Sequence, residues 1–400
     1  MTAFQRSFIP YGSQWSTPFA KWQGRLASLH PLRLAAESTR AQFERRGIDP
    51  QGLDSLVVGW TVPSLQSFYG APWMAGLIGA PDITGPMVMQ ACATSVRALQ
   101  TAAHAIEAGD REKTLVVTFD KCSNGPHVYY PDGAAPGGTG KAENWVMDNF
   151  GKDPWARNAM IQTAENVAQE AGISRERQDA LTQLRYTQYE AALADDRAFQ
   201  KRYMLPVEIN PSGRKVIGTL DSDDGVFRTT PEGLGKLRPV MPEGTVTFGS
   251  QTHPADGNAG CLLTTEAHAK ELATDAGVTV RVVSTGEARV KKGFMAMATV
   301  PAARQALARA GFGVNDVRIK THNPFAVNDV YFADEMGIAE DSFNNYGSSL
   351  IFGHPQGPTG LRLIAELIEE LVMGGGGRGL FVGCAAGDTG AALCLQVDCD

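Results

Sequence analysis

The sequence predicts an α/β protein built from two similarly ordered halves, in five alternating helix and strand layers, with a large insertion in the first half. Three observations lead there. Apolar segments of strand length alternate with segments whose apolar residues recur at helical spacing. The strand–helix–strand order of the first third recurs from residue 278 onward. Between them, residues 121–243 change character, with a Gly/Pro-rich stretch followed by a long polar helical region. The expected division is therefore 1–120 with 244–276 for the first half, 121–243 for the insertion and 277–400 for the second half.

Residues 32–46 predict a helix, followed by the apolar strand Leu56-Val-Val-Gly59. In residues 95–108, Val96, Leu99, Ala102, Ala103 and Ile106 fall on one helical face, and Gly109 suits the C-terminal cap. Residues 114–119 read as a buried strand, so the order strand, turn, helix, strand makes a right-handed βαβ unit. The insertion carries Pro131-Asp-Gly-Ala-Ala-Pro-Gly-Gly-Thr139 and a helical region over 160–198; insertions of this size more often serve function than mere connection. Residues 245–248 predict a return to strand, 251–257 a turn, and 266–276 a helix. The second half then offers a strand at 278–283, a helix at 301–310 and a strand at 317–322. A helix at 359–373 stops at the glycine run 374–377, and strands at 380–384 and 391–397 form a hairpin.

Four hundred residues exceed one ordinary core, and 43% hydrophobic with 20% charged residues describe a folded chain. No apolar run reaches spanning length, and the opening residues lack the apolar segment of a signal peptide, which implies a cytoplasmic protein. A formal net charge of -7 without a basic stripe argues against nucleic acid. Lys201-Arg202, Arg214-Lys215 and Arg228 could still gather into an anion-binding patch, although a solvated charged face is the plainer reading. None of the six cysteines forms a C-x-x-C pair, so a structural zinc or a redox dithiol is poorly supported. Cys122, Cys261 and Cys394 read as small buried apolar residues.

Three cysteine and histidine positions point to chemistry. Cys92, in Gln90-Ala-Cys-Ala-Thr-Ser95, precedes a helix whose N–H groups and dipole favour thiolate. His354, in Gly353-His-Pro-Gln-Gly-Pro-Thr-Gly360, can act as its base, and Cys384, in Gly-Cys-Ala-Ala-Gly387, can handle a second proton. Each has a plain alternative, as a core thiol, a turn-shaping histidine or a strand-end packing residue. Together they suggest cysteine-based acyl transfer.

In order along the chain, these segments resemble the thiolase family over nearly the whole length. The resemblance rests on Cys92-Ala-Thr-Ser, Ser123-Asn-Gly-Pro-His127, Thr163-Ala-Glu-Asn-Val-Ala-Gln-Glu-Ala-Gly-Ile-Ser-Arg-Glu-Arg-Gln-Asp179 and Leu205-Pro-Val-Glu-Ile209. It continues through Gly244-Thr-Val-Thr247, Asp256-Gly-Asn-Ala259, Asn345-x-Gly347, the Gly353–Gly360 motif and Cys384-x-x-Gly-x-x-Gly390. It implies that Cys92 attacks a 3-ketoacyl-CoA, with His354 as base and Cys384 as the acid that protonates the released enolate. Coenzyme A would be a co-substrate, with no permanently bound cofactor or metal. Backbone N–H groups of Cys92 and Ala386 would hold the oxyanion of the acyl-cysteine intermediate. His354 and His322 would hold that of the enolate. His322-Asn-Pro-Phe325 stands where many thiolases have Asn-Glu-x-Phe and is similar to the sterol-carrier type.

The resemblance further implies a CoA path near Met160, Arg228, Thr252, His253, Met295 and Phe325. Ala159 replaces a frequent histidine, Phe294-Met-Ala-Met-Ala298 a more glycine-rich stretch, Cys122 a more usual methionine, and Ala386 a usual glycine. These departures suggest an aromatic, branched or carboxylated acyl group. The family pairs as a dimer, or dimer of dimers, through the N-terminal half, and some His-type relatives bind a small zinc-ribbon/OB partner. Two other functions fit the same residues less well: a Claisen-condensing or retro-aldol enzyme on this fold, and a non-catalytic acyl-CoA or lipid-binding scaffold.

Overall fold

In the first half the chain runs β1 (Phe8–Ile9), α1 (Pro31–Arg46), β2 (Ser55–Gly59), α2 (Gly70–Ile78), β3 (Met87–Val88), α3 (Thr94–Ala108) and β4 (Lys113–Lys121). The insertion contributes α4 (Met160–Ala171) and α5 (Arg175–Arg197), and β5 (Ala255–Thr264) completes the half. The second half runs β6 (Val278–Arg289), α6 (Thr299–Ala310), β7 (Val317–His322), α7 (Ala326–Met336), α8 (Pro358–Met373), β8 (Gly377–Ala385) and β9 (Thr389–Cys399). This computed structural model describes residues 3–123 and 125–400; Met1, Thr2 and Asn124, the last within the Ser123-to-His127 segment, lie outside the described residues.

Hydrogen bonding joins the strands in the order β7-β8-β9-β6-β1-β5-β4-β2-β3. β2 pairs in parallel with β3 and β4, and β7 with β8; the other neighbours are antiparallel. Setting aside α2, β3 and α7, each half has one connectivity. The series β1-α1-β2-α3-β4-β5 lies in the spatial order β2-β4-β5-β1, and β6-α6-β7-α8-β8-β9 lies in the order β7-β8-β9-β6. The halves meet where β1 and β6 run antiparallel, Phe8 opposite Arg281 and Ile9 opposite Val280. The expected duplication is thus present in topology.

The layers follow from period-2 alternation. On β2, Leu56 and Val58 pack with Leu32, Phe43, Ala71 and Met74 of α1 and α2, whereas Val57 faces the central layer with Leu99 and Ile364. On β8, Leu380 and Val382 meet Ala302 and Ala306 of α6, while Phe381 joins the central layer. Helices α3 and α8 are therefore clasped between the two halves of this one continuous sheet. Every residue of α8 from Pro358 to Leu371 is buried, including four charged ones. Buried charge is costly unless paired. Arg362 meets Asp223 at 2.6 Å and Glu366 at 3.2 Å, and Lys320 lies 3.6 Å from both Glu366 and Glu370.

Three expected boundaries differ. The 160–198 region is two helices, because Gly172 caps α4 at φ 66° and Ser174 begins α5 by accepting the Arg177 N–H. The helix expected over 266–276 ends at Leu272. Residues 245–248 make only an isolated antiparallel bridge, Thr247 to Pro239, rather than a strand, with the N–H groups of Thr245 and Val246 donating to Glu165, and the strand lies later, at β5. Its Asp256-Gly-Asn-Ala-Gly260 start looks like a turn, but Gly257 and Gly260 leave room for rings: an added Cβ would stand 2.6 Å from Phe19 and 2.3 Å from Trp15. Among the described residues, no helix is long and apolar enough to cross a membrane.

Candidate active site

Two turns at equivalent places in the two halves create the site. Ahead of α3, Ala91 takes a left-handed φ of 45° and presents Cys92, and the Thr94 hydroxyl steadies this turn by donating to the Ala91 carbonyl at 2.7 Å. Ahead of α8, Gly353 at φ 93° and Gln356 at φ 64° shape the turn that carries His354. Gly357 locks the turns together. Its carbonyl accepts the Ser95 hydroxyl at 2.5 Å, and its N–H donates to Asp120 at 2.8 Å. Asp120 also accepts the N–H groups of Thr61 and Val62, so one buried carboxyl on β4 ties two loops together.

Across that junction His354 Nε2 stands 3.0 Å from Cys92 Sγ, while Nδ1 is held by Thr359 Oγ1 at 2.6 Å. Gln356 Oε1 lies 3.3 Å from the same sulfur. His322 and Cys384 arrive from the neighbouring C-terminal ends of parallel strands β7 and β8, where His322 pairs with Gly383. His322 Nδ1 lies 2.8 Å from Ser349 Oγ, and its ring lies 4.0 Å from that of His354. Among the described residues, its Nε2 has no hydrogen-bond partner. Asn328 donates to Cys384 Sγ at 3.2 Å. The four expected reactive residues therefore converge. The His322 turn is braced by Asp329, which accepts Thr321 at 2.6 Å, Asn323 at 2.5 Å and the buried Arg185 guanidinium of α5 at 2.8 Å.

The expected thiolate requires correction. Burial pushes the Cys92 thiol up to about 12, despite the opposing N–H groups of Ala386 and Cys92 itself, and Asp120 raises it further. Burial likewise holds His322 at about 3, and burial with the neighbouring His322 holds His354 well below its ordinary 6.5. Cys384 is driven well upward by burial. Desolvation exceeds the helix-terminus effect here, so the resting pair is a neutral thiol and a neutral imidazole. The same N–H groups of Ala386 and Cys92 are the donors expected for an oxyanion.

Of the binding candidates, three line the same junction. The His253 carbonyl accepts the His354 N–H at 3.0 Å, and Thr252 donates its N–H to Pro324 at 2.7 Å and its hydroxyl to Ser349 at 2.5 Å. Phe325 bridges to Gln251 and shares an apolar cluster with Met160 and Met295. Arg228 is different: it is exposed and pairs with Glu190 at 3.0 Å. The Lys201–Arg202 patch does not assemble either, because Lys201 pairs with Asp196 and Arg202 turns inward to Glu369 at 2.7 Å. Cys122, Cys261 and Cys394 are buried, as expected.

Residues 13–267 match the family described as "Thiolase, N-terminal domain", and residues 276–397 match "Thiolase, C-terminal domain". The chain belongs to the thiolase family. This thiolase is 32% identical over 396 residues to the beta-ketoadipyl-CoA thiolase of Pseudomonas aeruginosa, covering 95% of this chain and 96% of the relative. It is 28% identical to the probable acetyl-CoA acetyltransferase of Escherichia coli, over 96% and 97% of the two chains. Its fold matches human mitochondrial 3-ketoacyl-CoA thiolase in complex with CoA with a TM-score of 0.89 over 99% of both chains, at 24% identity. The protein is accordingly an acyltransferase. Sequence reasoning missed Gln356, Thr359, Ser349, Asn328 and Asp120. Gln356 and Thr359 lay inside the motif around His354; no periodicity or motif marked the other three.

Proposed function

We propose that this thiolase cleaves a 3-ketoacyl-CoA through an acyl-Cys92 intermediate, with free CoA receiving the shortened acyl group. The 3.0 Å contact between Cys92 Sγ and a His354 ring whose far nitrogen is held by Thr359 carries the reading. As Sγ attacks the 3-keto carbon, its proton passes to His354 Nε2, so charge forms only when the substrate is in place. N–H groups of Cys92 and Ala386 receive the first oxyanion. When the carbon–carbon bond breaks, His354, now protonated, and His322 donate to the enolate oxygen, and Cys384 delivers its proton to the enolate carbon. The incoming CoA thiol gives its proton to the Cys384 thiolate as its sulfur takes the acyl group, and His354 returns its proton to the departing Cys92 sulfur, so all three groups end as they began.

Met295 and Ala296 are buried, and their segment packs against α4 and α7, which supports it as a wall of the acyl pocket. A relative named for beta-ketoadipyl-CoA supports a carboxylated acyl group. For assembly, β3 forms one end of the sheet, beside exposed Leu65, Phe68, Tyr69, Met87 and Met89. These features support a dimer through the first half.

Intact-mass spectrometry of the wild type and Cys92→Ala, after incubation with linear, aromatic and dicarboxylic 3-ketoacyl-CoAs, tests the mechanism. An acyl adduct on the wild type alone, discharged by CoA, is expected and would identify the acyl group. Its formation by this chain alone would also remove the need for a zinc-ribbon/OB partner. Absence of an adduct across the panel, with the partner-type subunit added as well, would favour a scaffold.

A further inference from the structure

We propose that Cys92, His322 and His354 form a chelating site for a soft divalent cation of the zinc class, which reversibly silences the enzyme in competition with acyl-CoA. One donor atom from each residue lies within 4.8 Å of the other two, and the Cys92–His354 pair is already at 3.0 Å. Zinc bound by thiolate at ~2.3 Å and imidazole at ~2.0–2.1 Å places its tetrahedral ligands roughly 3.5 Å apart. The cluster therefore needs adjustments of only about an ångström to close on the ion.

Orientation turns this proximity into a site. Hydroxyl groups of Thr359 and Ser349 hold the Nδ1 atoms of the two histidines, leaving both Nε2 atoms for the cation, the arrangement usual for histidine ligands. His322 Nε2 is the telling atom, because it is unpartnered among the described residues although the residue is only 1% exposed. The Ser349 hydroxyl can serve either state of this ring, lying 2.8 Å from His322 Nδ1 and 3.3 Å from Asn323 Oδ1. When Ser349 donates to Nδ1, Nε2 carries hydrogen and suits an oxyanion. When it donates to Asn323, Nδ1 donates to Ser349 and the Nε2 lone pair suits a cation. Binding forms the metal–sulfur bond and releases the Cys92 proton to solvent. Gln356 Oε1, 3.3 Å from Sγ, or a water can take the fourth position. An amide at position 322 would lack the second imidazole nitrogen, so the histidine confers this property.

Zinc chloride titrated into the whole, metal-free chain without substrate should bind at one ion per chain with proton release, read by calorimetry. Cobalt(II) in its place should give a sulfur-to-metal charge-transfer band. The band should vanish in Cys92→Ala and Cys92→Ser, and His322→Asn should weaken affinity by about tenfold or more. Thermal melting of each variant controls for folding. Zinc should also block thiolysis by the wild type, with chelator restoring activity and saturating acyl-CoA protecting it. Equal zinc affinity in the wild type and all three variants would overturn the proposal and assign the ion to a surface group such as Glu112, His268 and Glu271. Binding only at millimolar zinc would also overturn it. The binding measurements need no turnover, so their outcome is distinct from that of the acyl-adduct experiment.

Discussion

His322 and His354 are folded as neutral rings because the buried site stabilises imidazole over imidazolium. Unfolded histidines take up protons near pH 6.5, whereas His322 in the fold does so only at about 3 and His354 well below 6.5. The unfolded state therefore binds more protons as pH falls below 6.5. The stability that these rings contribute is complete above that pH and declines as pH falls below it, by up to about 1.4 kcal/mol per pH unit for each ring. Urea unfolding at pH 7, 6 and 5 should show this decline, and His322→Asn should show a shallower one. Equal slopes would mean that His322 is not held neutral by the fold. The four reactive residues were legible because each lies in a short patterned segment. Their ionisation was not, since a helix N-terminus can be read from a sequence and the burial opposing it cannot. Ser349 and Asn328 were invisible for a related reason: each acts on a residue far away in sequence.

Strand β7 holds His322 in place through α5, an element of the insertion. The link is the buried pair Arg185–Asp329, at 2.8 Å with both side chains at most 1% exposed. Removing one partner of such a pair leaves the other charge buried and alone, so Arg185→Met should cost about 3–5 kcal/mol. Arg228→Ala, which breaks the exposed pair with Glu190, should change stability by less than about 1 kcal/mol. Denaturant midpoints compare the two directly, and similar losses would show that Asp329 is satisfied without Arg185. Helices and apolar strands were legible from their periods. Strand β5 was not, because its glycines accommodate Trp15 and Phe19, which lie some 240 residues away in the chain. A segment chosen for what packs on it gives little local sign of being a strand.

At the scale of the molecule, the order of elements revealed two halves before any residue repeat did, since topology depends on where apolar segments fall rather than on which residues fill them. The exposed apolar group around β3 predicts association. Light scattering should give a dimer or larger species for the wild type, and Phe68→Asp combined with Met89→Asp should shift it towards monomer; an unchanged mass would place any interface elsewhere. The duplication also has a kinetic consequence. Cys92 belongs to one half and His354 to the other, and their 3.0 Å contact exists only when α3 and α8 lie side by side between the two halves of the sheet. During refolding, each half can regain its helices and strands while the thiol remains without a base. Turnover should then return later than the far-ultraviolet circular dichroism signal. The lag would time the docking of the halves, making the reacting pair a built-in clock for the last step of assembly.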